Sequence, residues 1–547
     1  MAKTKVDINS RDQRFRGFNL EDRAIGTRTS YAVVTYFHYK KQNFVDPSNV
    51  KEFQPSYDVE VGTIDADIAE ITVSKSLNQA SGTFGISLNP SKNWKSVLSP
   101  GDWVMIYFFN TYNPRQIIQD TKNCVLVGSI DRVSRSLARN EDEDKVQLRY
   151  NVSGRNFGKV FEEQDVWFDP YAISVAGGVG SSELDVWLQN AGLELAGSPN
   201  QLADSLIGIF LGDKGQTQQG VKDGISAWGI PPALASRFKS EATESPRFKD
   251  ILKTEIATLP GYKAREQLTV NSNGSLWDML ERNSNGLINE CYLEESRASD
   301  GSVSPTFFLK PRPLQTPFLE DFANKGSANL SLLGGAYQTL QDLAKNNYIE
   351  ISQSEIKYED LGKDDHARMN FYWLRFAQSA ELGFEHVANL NKRTGIRNPV
   401  YSRESIQRHG LKRMDQSTDF CYLQQGAAIG AQYELWKAFM AQLWDMHSSN
   451  HLYDAGTIEC TGVLEAELGK ALIVRNARAG ERKKIYFIEG YEHRWSLTDG
   501  WSTVFTLTHG QWQTDGKDIF IDASLDDFGS PDSMITSSYI AKTETER

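Results

Sequence analysis

The sequence predicts a mainly β, α+β protein: two β-rich regions flank an inserted, partly helical domain, and the second region carries an amphipathic helix. Three observations lead there. Apolar and polar residues alternate over short runs, as in Val146, Leu148, Tyr150 and Val152 against Gln147, Arg149, Asn151 and Ser153, the period of a half-buried strand. Clusters of Gly, Pro, Asn and Asp punctuate those runs as turns. A chain of 547 residues is also too long for one core and implies about three or four folded units.

Residues 1–54 read as an N-terminal arm, with Arg11, Arg14, Arg16, Arg23 and Arg28 spread ahead of an aromatic-rich strand from Tyr31 to Tyr39. Residues 55–158 read as the first β domain. There Ile71 and Val73 alternate with Thr72 and Ser74, and the turn Ser99-Pro-Gly-Asp102 feeds the β-branched and aromatic run Trp103 to Phe109. The acidic tip Glu141 to Asp144 separates two further strands and lacks the spaced carboxylates of a calcium loop. Residues 159–270 form the inserted domain. A helix from Ser182 to Leu195, capped by Ser181 or Ser182, is expected in it, and Ile230-Pro-Pro232 should stop any helix.

Residues 271–515 read as the second β domain. Turn signals at Asn271–Gly274 and Asn283–Gly286 bracket a helix, Ser275 to Arg282, with Leu276, Met279 and Leu280 on one face. A hairpin is expected between Leu287–Glu294 and Pro305–Lys310, and strands around Tyr348–Ile351 and Phe371–Phe376. Near 427–446, Ile429, Tyr433, Trp436, Met440, Leu443 and Trp444 share one face of a 3.6-residue period. Residues 455–510 are β again, and 516–547 form a polar C-terminal tail.

The formal charge of −12 argues against a broad basic face that grips nucleic acid. It suits a surface past which DNA slides. No run approaches the roughly 18 apolar residues of a membrane span, so no membrane anchor is expected. Met1 to Arg16 lacks the apolar core of a secretion signal, which points to folding in a cytoplasm. Cys124, Cys291, Cys421 and Cys460 stand apart and read as buried thiols.

Catalytic signatures are missing. His447 and His451 have the spacing of two zinc ligands, but Ser448 stands where the H-E-x-x-H enzymes place their glutamate. Gly462 to Lys470 has six residues before its final Gly-Lys and no following hydroxyl, so it reads as a turn and not a phosphate loop. Glu162-Glu163 and Glu294-Glu295 are carboxylate pairs, but neighbours on a strand point to opposite faces and make poor acid and base partners. No catalytic, cofactor or metal residue is therefore assigned. The 12 Trp lie mostly in apolar patterns that core packing explains.

Three groups of segments resemble the baseplate hub proteins of contractile-tailed phages, a family that includes late control protein D and the hub half of type VI secretion spikes. The first runs through Ile71-Thr-Val-Ser-Lys-Ser76, Phe84-Gly-Ile-Ser87, Leu98 to Tyr107, Val127 to Val133 and Val152 to Phe157. The second comprises Leu276-Trp-Asp-Met-Leu280, Asn289 to Glu294 and Phe308 to Pro313. The third runs from Gly456-Thr-Ile458 through Gly469-Lys470 to Tyr486–Ser496 and Thr503–Gly510. The resemblance implies two tandem tail-tube-like β-barrel domains per chain and a homotrimeric, pseudo-sixfold ring that joins a sixfold tail tube to a threefold spike. It implies a virion baseplate protein assembled in the host cytoplasm. The partners would be a tail tube or tube-initiator protein, a central spike protein and baseplate wedge proteins, with DNA passing through without specific binding. The polar face Gln147, Arg149, Asn151 and Ser153 is then the candidate channel lining, expected to be net acidic. Two alternatives remain: a tail-associated cell-wall hydrolase, whose acid/base pair would have to lie in 159–270, and a receptor-recognition protein with surface aromatics for glycans.

One register follows from burial alone. A three-residue loop, Thr498 to Gly500, pairs Leu497 with Trp501, Trp495 with Thr503, His493 with Phe505 and Tyr491 with Leu507. It gathers Tyr491, Trp495, Leu497, Phe505 and Leu507 on one buried face, and Asp499-Gly500 forms the turn with Gly500 at positive φ.

Overall fold

The computed structural model describes residues 30–39, 59–77, 79–109, 121–140, 145–166, 198–211, 228–238, 246–259, 274–313, 340–376, 400–418, 439, 443, 446–448, 450–475 and 483–512. The tail 516–547, the helix expected at 182–195, the tip 141–144, Cys421 and most of 1–54 lie outside them.

The chain is mainly β. The first seven strands are β1 (Tyr31–Tyr39), β2 (Val59–Ile64), β3 (Ile68–Ser76), β4 (Thr83–Leu88), β5 (Trp103–Phe109), β6 (Cys124–Asn140) and β7 (Lys145–Asn156). Helix α1 (Lys159–Glu163) and strand β8 (Asp165–Val166) follow, then α2 (Pro199–Phe210), α3 (Pro232–Ala235), β9 (Lys253–Ile256), β10 (Gly274–Ser275) and α4 (Leu276–Asn283). The hairpin β11 (Asn289–Arg297) and β12 (Val303–Pro311) leads to α5 (Leu340–Asn346), β13 (Tyr348–Ser352) and β14 (Ile356–Gly362). A small sheet of β15 (Phe371–Phe376), β16 (Val400–Tyr401) and β17 (Arg413–Thr418), with α6 (Arg403–His409), precedes β18 (Asp454–Thr461), β19 (Ala471–Arg475), β20 (Lys483–Ser496) and β21 (Gly500–Trp512).

Local chemistry accounts for several of these elements. Ser275 Oγ accepts from the Asp278 amide at 3.1 Å and Asp278 returns the bond to the Ser275 amide at 3.0 Å, which fixes the start of α4. In the turn before β5, Asp102 Oδ2 accepts from the Ser99 amide at 2.7 Å while Gly101 takes φ +92°. The Pro-Pro pair at 231–232 does more than stop a helix. Pro232 opens α3, a position where the missing N–H costs nothing.

The two β-rich regions, expected as separate barrels, share one 13-stranded sheet in the order β14-β18-β21-β20-β3-β4-β7-β6-β5-β1-β2, with β13 and β19 branching from β20. The seam is the antiparallel β20–β3 ladder, with Trp495 opposite Ile71 and His493 opposite Val73. Two cores pack on this sheet, and the first crosses the seam. Ile71, Ile86, Trp94, Val152, Trp495 and Trp501 belong to one, and Ile351, Ile458, Ile488, Tyr491, Phe505 and Leu507 to the next. A third core joins the helices to the other face of β1 and β5 through Phe248, Phe161, Leu206 and Phe307. Phe439, Leu443 and Met446, helical and buried, are the described part of the amphipathic helix expected at 427–446. No helix among the described residues is long and apolar enough to cross a membrane.

The β20–β21 hairpin departs from the expected register by two residues. Ser496 faces Gly500, Trp495 faces Trp501, His493 faces Thr503 and Tyr491 faces Phe505, so the loop is Leu497, Thr498 and Asp499. An even shift preserves the faces, and Tyr491, Trp495, Phe505 and Leu507 are buried. Leu497 must be corrected: it sits at the loop tip and is 65% exposed. The side chains close the loop instead, because Ser496 Oγ accepts from the Asp499 amide at 2.9 Å. Gly500 has φ +72°. Gly500→Val is expected to destabilise by roughly 1–2 kcal/mol through the left-handed penalty, read as a lowered melting temperature.

Candidate functional site: a sealed ionic cluster and a polar sheet face

The β11–β12 hairpin is wedged between the two halves of the large sheet. Lys75, from the strand β3 at the seam, reaches both carboxylates of its edge strand. Lys75 Nζ lies 2.6 Å from Glu294 Oε1 and also contacts Glu295 Oε2. The three side chains are 2%, 1% and 2% exposed. Glu294 and Glu295, expected to point to opposite faces of their strand, nonetheless share this one ammonium. Because β11 ends its own sheet, an ammonium at that edge meets carboxylates from both faces.

Further donors complete the cluster. Glu294 Oε1 accepts from the Tyr491 hydroxyl at 3.0 Å and the Glu295 amide at 2.9 Å, and Glu294 Oε2 from the Leu468 amide at 3.1 Å. Glu295 Oε1 accepts from the Val127 amide at 2.9 Å. Burial works against the Lys75 ammonium, but the charges of Glu294 and Glu295 outweigh it and hold its pKa well above the usual lysine range. The site ties residues 75, 127, 294–295, 468 and 491 to one another. Both carboxylates are taken up by these partners.

The other motifs resolve similarly. Glu162 and Glu163 both bind Arg155, at 2.7 and 2.5 Å, and Arg155 also holds Asp131 at 2.8 Å. His447 Nδ1 meets Asn450 Nδ2 at 3.3 Å, and burial first, then Arg312, pushes its pKa down to about 4. Among the described residues no group of three or more His, Cys, Asp or Glu is placed to hold a metal. Gly469, in the turn from Gly462 to Lys470, donates its amide to Ile488 O, and Lys470 pairs with Glu467 at 2.7 Å.

Arg149, Asn151 and Ser153 are exposed on β7, alternating with buried Tyr150 and Val152; Gln147 lies on the same strand, but its side chain is outside the described residues. Their face continues across the sheet from β6 to β18. One row of paired residues runs Arg132, Ser153, Gly85, Thr72, Arg494, Ser502 and Thr461. Its neighbour runs Ser134, Asn151, Ser87, Glu70 and Ser496. The face is small and polar from β6 to β18. Its charges were expected to be net acidic. Among the described residues it carries both signs, Arg132, Arg149, Arg155 and Arg494 with Glu70, Asp131, Asp360, Glu459 and Glu492, and Glu492 pairs with Arg494 at 2.9 Å.

No protein-family model and no curated protein matches the chain. Among solved structures it is similar to a tail protein from Neisseria meningitidis MC58, with 11% identity, TM-score 0.40, and 87% of this chain and 96% of that one covered. It is also similar to the 43 kDa tail protein of prophage MuSo2 from Shewanella oneidensis, with 10% identity, TM-score 0.38, and 88% and 97% covered. A third is the E. coli c3393 protein, a component of the type VI secretion system, with 8% identity, TM-score 0.34, and 81% and 73% covered. At such scores these likenesses fix neither family nor function.

Reasoning from sequence missed Lys75 altogether. The available signal was a lysine at an inward position of the alternating run Ile71 to Ser76, where burial demands a counter-charge.

Proposed function

We propose that the chain is a structural subunit of a contractile phage tail, the baseplate hub, and not an enzyme. The observation that carries this reading is the single sheet whose polar face, with charges of both signs, spans both halves of the chain, from Arg132 on β6 to Thr461 on β18. Such a face can wall a channel without binding what passes, because it mixes both signs of charge with neutral groups that are mostly hydroxyls and amides. The sequence resemblance supplies the rest of the proposal: a homotrimer with two similar halves per chain, giving a pseudo-sixfold ring between a tail tube and a central spike. The sealing of Glu294 and Glu295 and the engagement of Glu162 and Glu163 by Arg155 support the non-enzymatic reading.

The deciding experiment is imaging of the purified protein, with mass measured in parallel. The expected result is a threefold ring with a central opening lined by the face that bears Arg149, Asn151 and Ser153. A monomer at every concentration, with no ring in assembled particles, would refute the proposal.

A further inference from the structure

We propose that copies of this chain join edge to edge, with β14 of one copy adding antiparallel to the outer half of β6 on the next. The inference rests on the ring reading above and assigns the strands that close the ring. A strand edge without a neighbour leaves backbone amides and carbonyls ready to pair with another chain. At one end of the large sheet, β14 pairs only with β18. On the other side, β5 accompanies β6 only as far as Ser129. From Arg132 to Asn140, β6 is paired with β7 alone. Among the described residues no backbone hydrogen bond reaches the second edge of that stretch or of β14.

Strand direction allows the join. Every neighbouring pair in the run β14-β18-β21-β20-β3-β4-β7-β6 is antiparallel. The run has eight strands, so its first and last point in opposite directions. A second copy, rotated about the axis of the ring, therefore brings its β6 antiparallel to β14 of the first. The polar face then continues from copy to copy. A head-to-tail contact of this kind gives a closed ring when its rotation closes.

The side chains select the same partner. The outer half of β6 carries Arg132, Arg135 and Arg139 and no acid, whereas β14 carries Glu359 and Asp360 against one lysine, Lys357. Arg132 and Asp360 lie on the polar face of the sheet, and Arg135 and Glu359 on the opposite face, all four of them exposed. An arginine thus meets an acid on each side of the joined sheet. Leu137 on β6 and Tyr358 on β14, 65% and 58% exposed in the single chain, gain a covering strand. The end strand β2 does not fit β14 in this way. Its one charge, Glu60, would face the acids of β14. Past β6 the polar face also gives way to Trp103 and Phe37, which are buried against the helices.

Sedimentation equilibrium and amide hydrogen exchange on the full chain test the pairing. Arg132→Glu with Arg135→Glu, and separately Glu359→Lys with Asp360→Lys, set like charges face to face. Each pair of changes should weaken self-association by about tenfold or more. All four changes in one chain restore opposite charges and should recover it. In the wild type, the amides of 132–140 and 356–362 should exchange more slowly as concentration rises. A threefold ring whose charge-reversed variants assemble equally well, or whose amides in these two strands stay unprotected, would overturn the pairing and leave the ring reading standing. A combined variant no better than its two parents would overturn it too. A wild type that is monomeric at every concentration would remove both readings.

Discussion

Replacing Lys75 with alanine is expected to destabilise the protein by about 3–5 kcal/mol, the cost of leaving a buried carboxylate without its cation. The ammonium is the only side-chain cation touching Glu294 and Glu295 among the described residues, and solvent cannot replace it in a site this closed. The loss should appear as a lower urea midpoint with near-ultraviolet circular dichroism as the probe. A control separates charge from packing. Combining Lys75→Met with Glu294→Gln and Glu295→Gln neutralises the whole cluster, and should recover much of the lost stability. A single Lys75→Ala change that leaves the midpoint unmoved would show that the cluster is open to water.

Phe248→Ala should cost a similar amount, about 3–5 kcal/mol, by a different route. Phe248 is fully buried in a short 3₁₀ turn, Phe248–Asp250, between α3 and β9. Its ring lies 5.9 Å from Phe157, 6.3 Å from Phe161 and 6.4 Å from Trp103, so one side chain joins the inserted region to the end of β7, to α1 and to β5. The three rings packed around Phe248 cannot collapse fully into the space it vacates. Differential scanning calorimetry should show the drop. Phe248→Leu, which keeps most of the volume, should show a smaller one.

What the sequence revealed of this fold was whatever depends on neighbours in the chain. The alternation in 491–507 put Tyr491, Trp495, Phe505 and Leu507 on one face, because a period of two survives any even slip of register. It failed for Leu497, where the loop's own hydrogen bonds outcompeted the burial of one leucine. The hairpin at 289–311 and the capped helix at 276–283 were legible for the same local reason. The seam between β20 and β3 was not, since nothing in Ile71–Ser76 names a partner more than four hundred residues away. The ionic cluster was hidden twice over. It draws on five separate stretches of chain, and strand alternation, which made Glu294 and Glu295 poor acid and base partners, gave no hint of a shared cation.

The seam also sets a timetable for synthesis. β3 can pair with β4 as soon as both have emerged, but its other edge waits for β20. At a ribosomal pace of roughly 5–20 residues per second, the four hundred or so residues between them take about 20–80 seconds to appear. Throughout that interval the nascent first half presents an unpaired edge next to the buried-to-be Lys75. A second nascent chain on the same message carries the identical edge and, later, the identical β20. Strand exchange between copies therefore competes with the correct closure within one chain, and a chaperone that shields β3 until residue 496 is out would favour the latter.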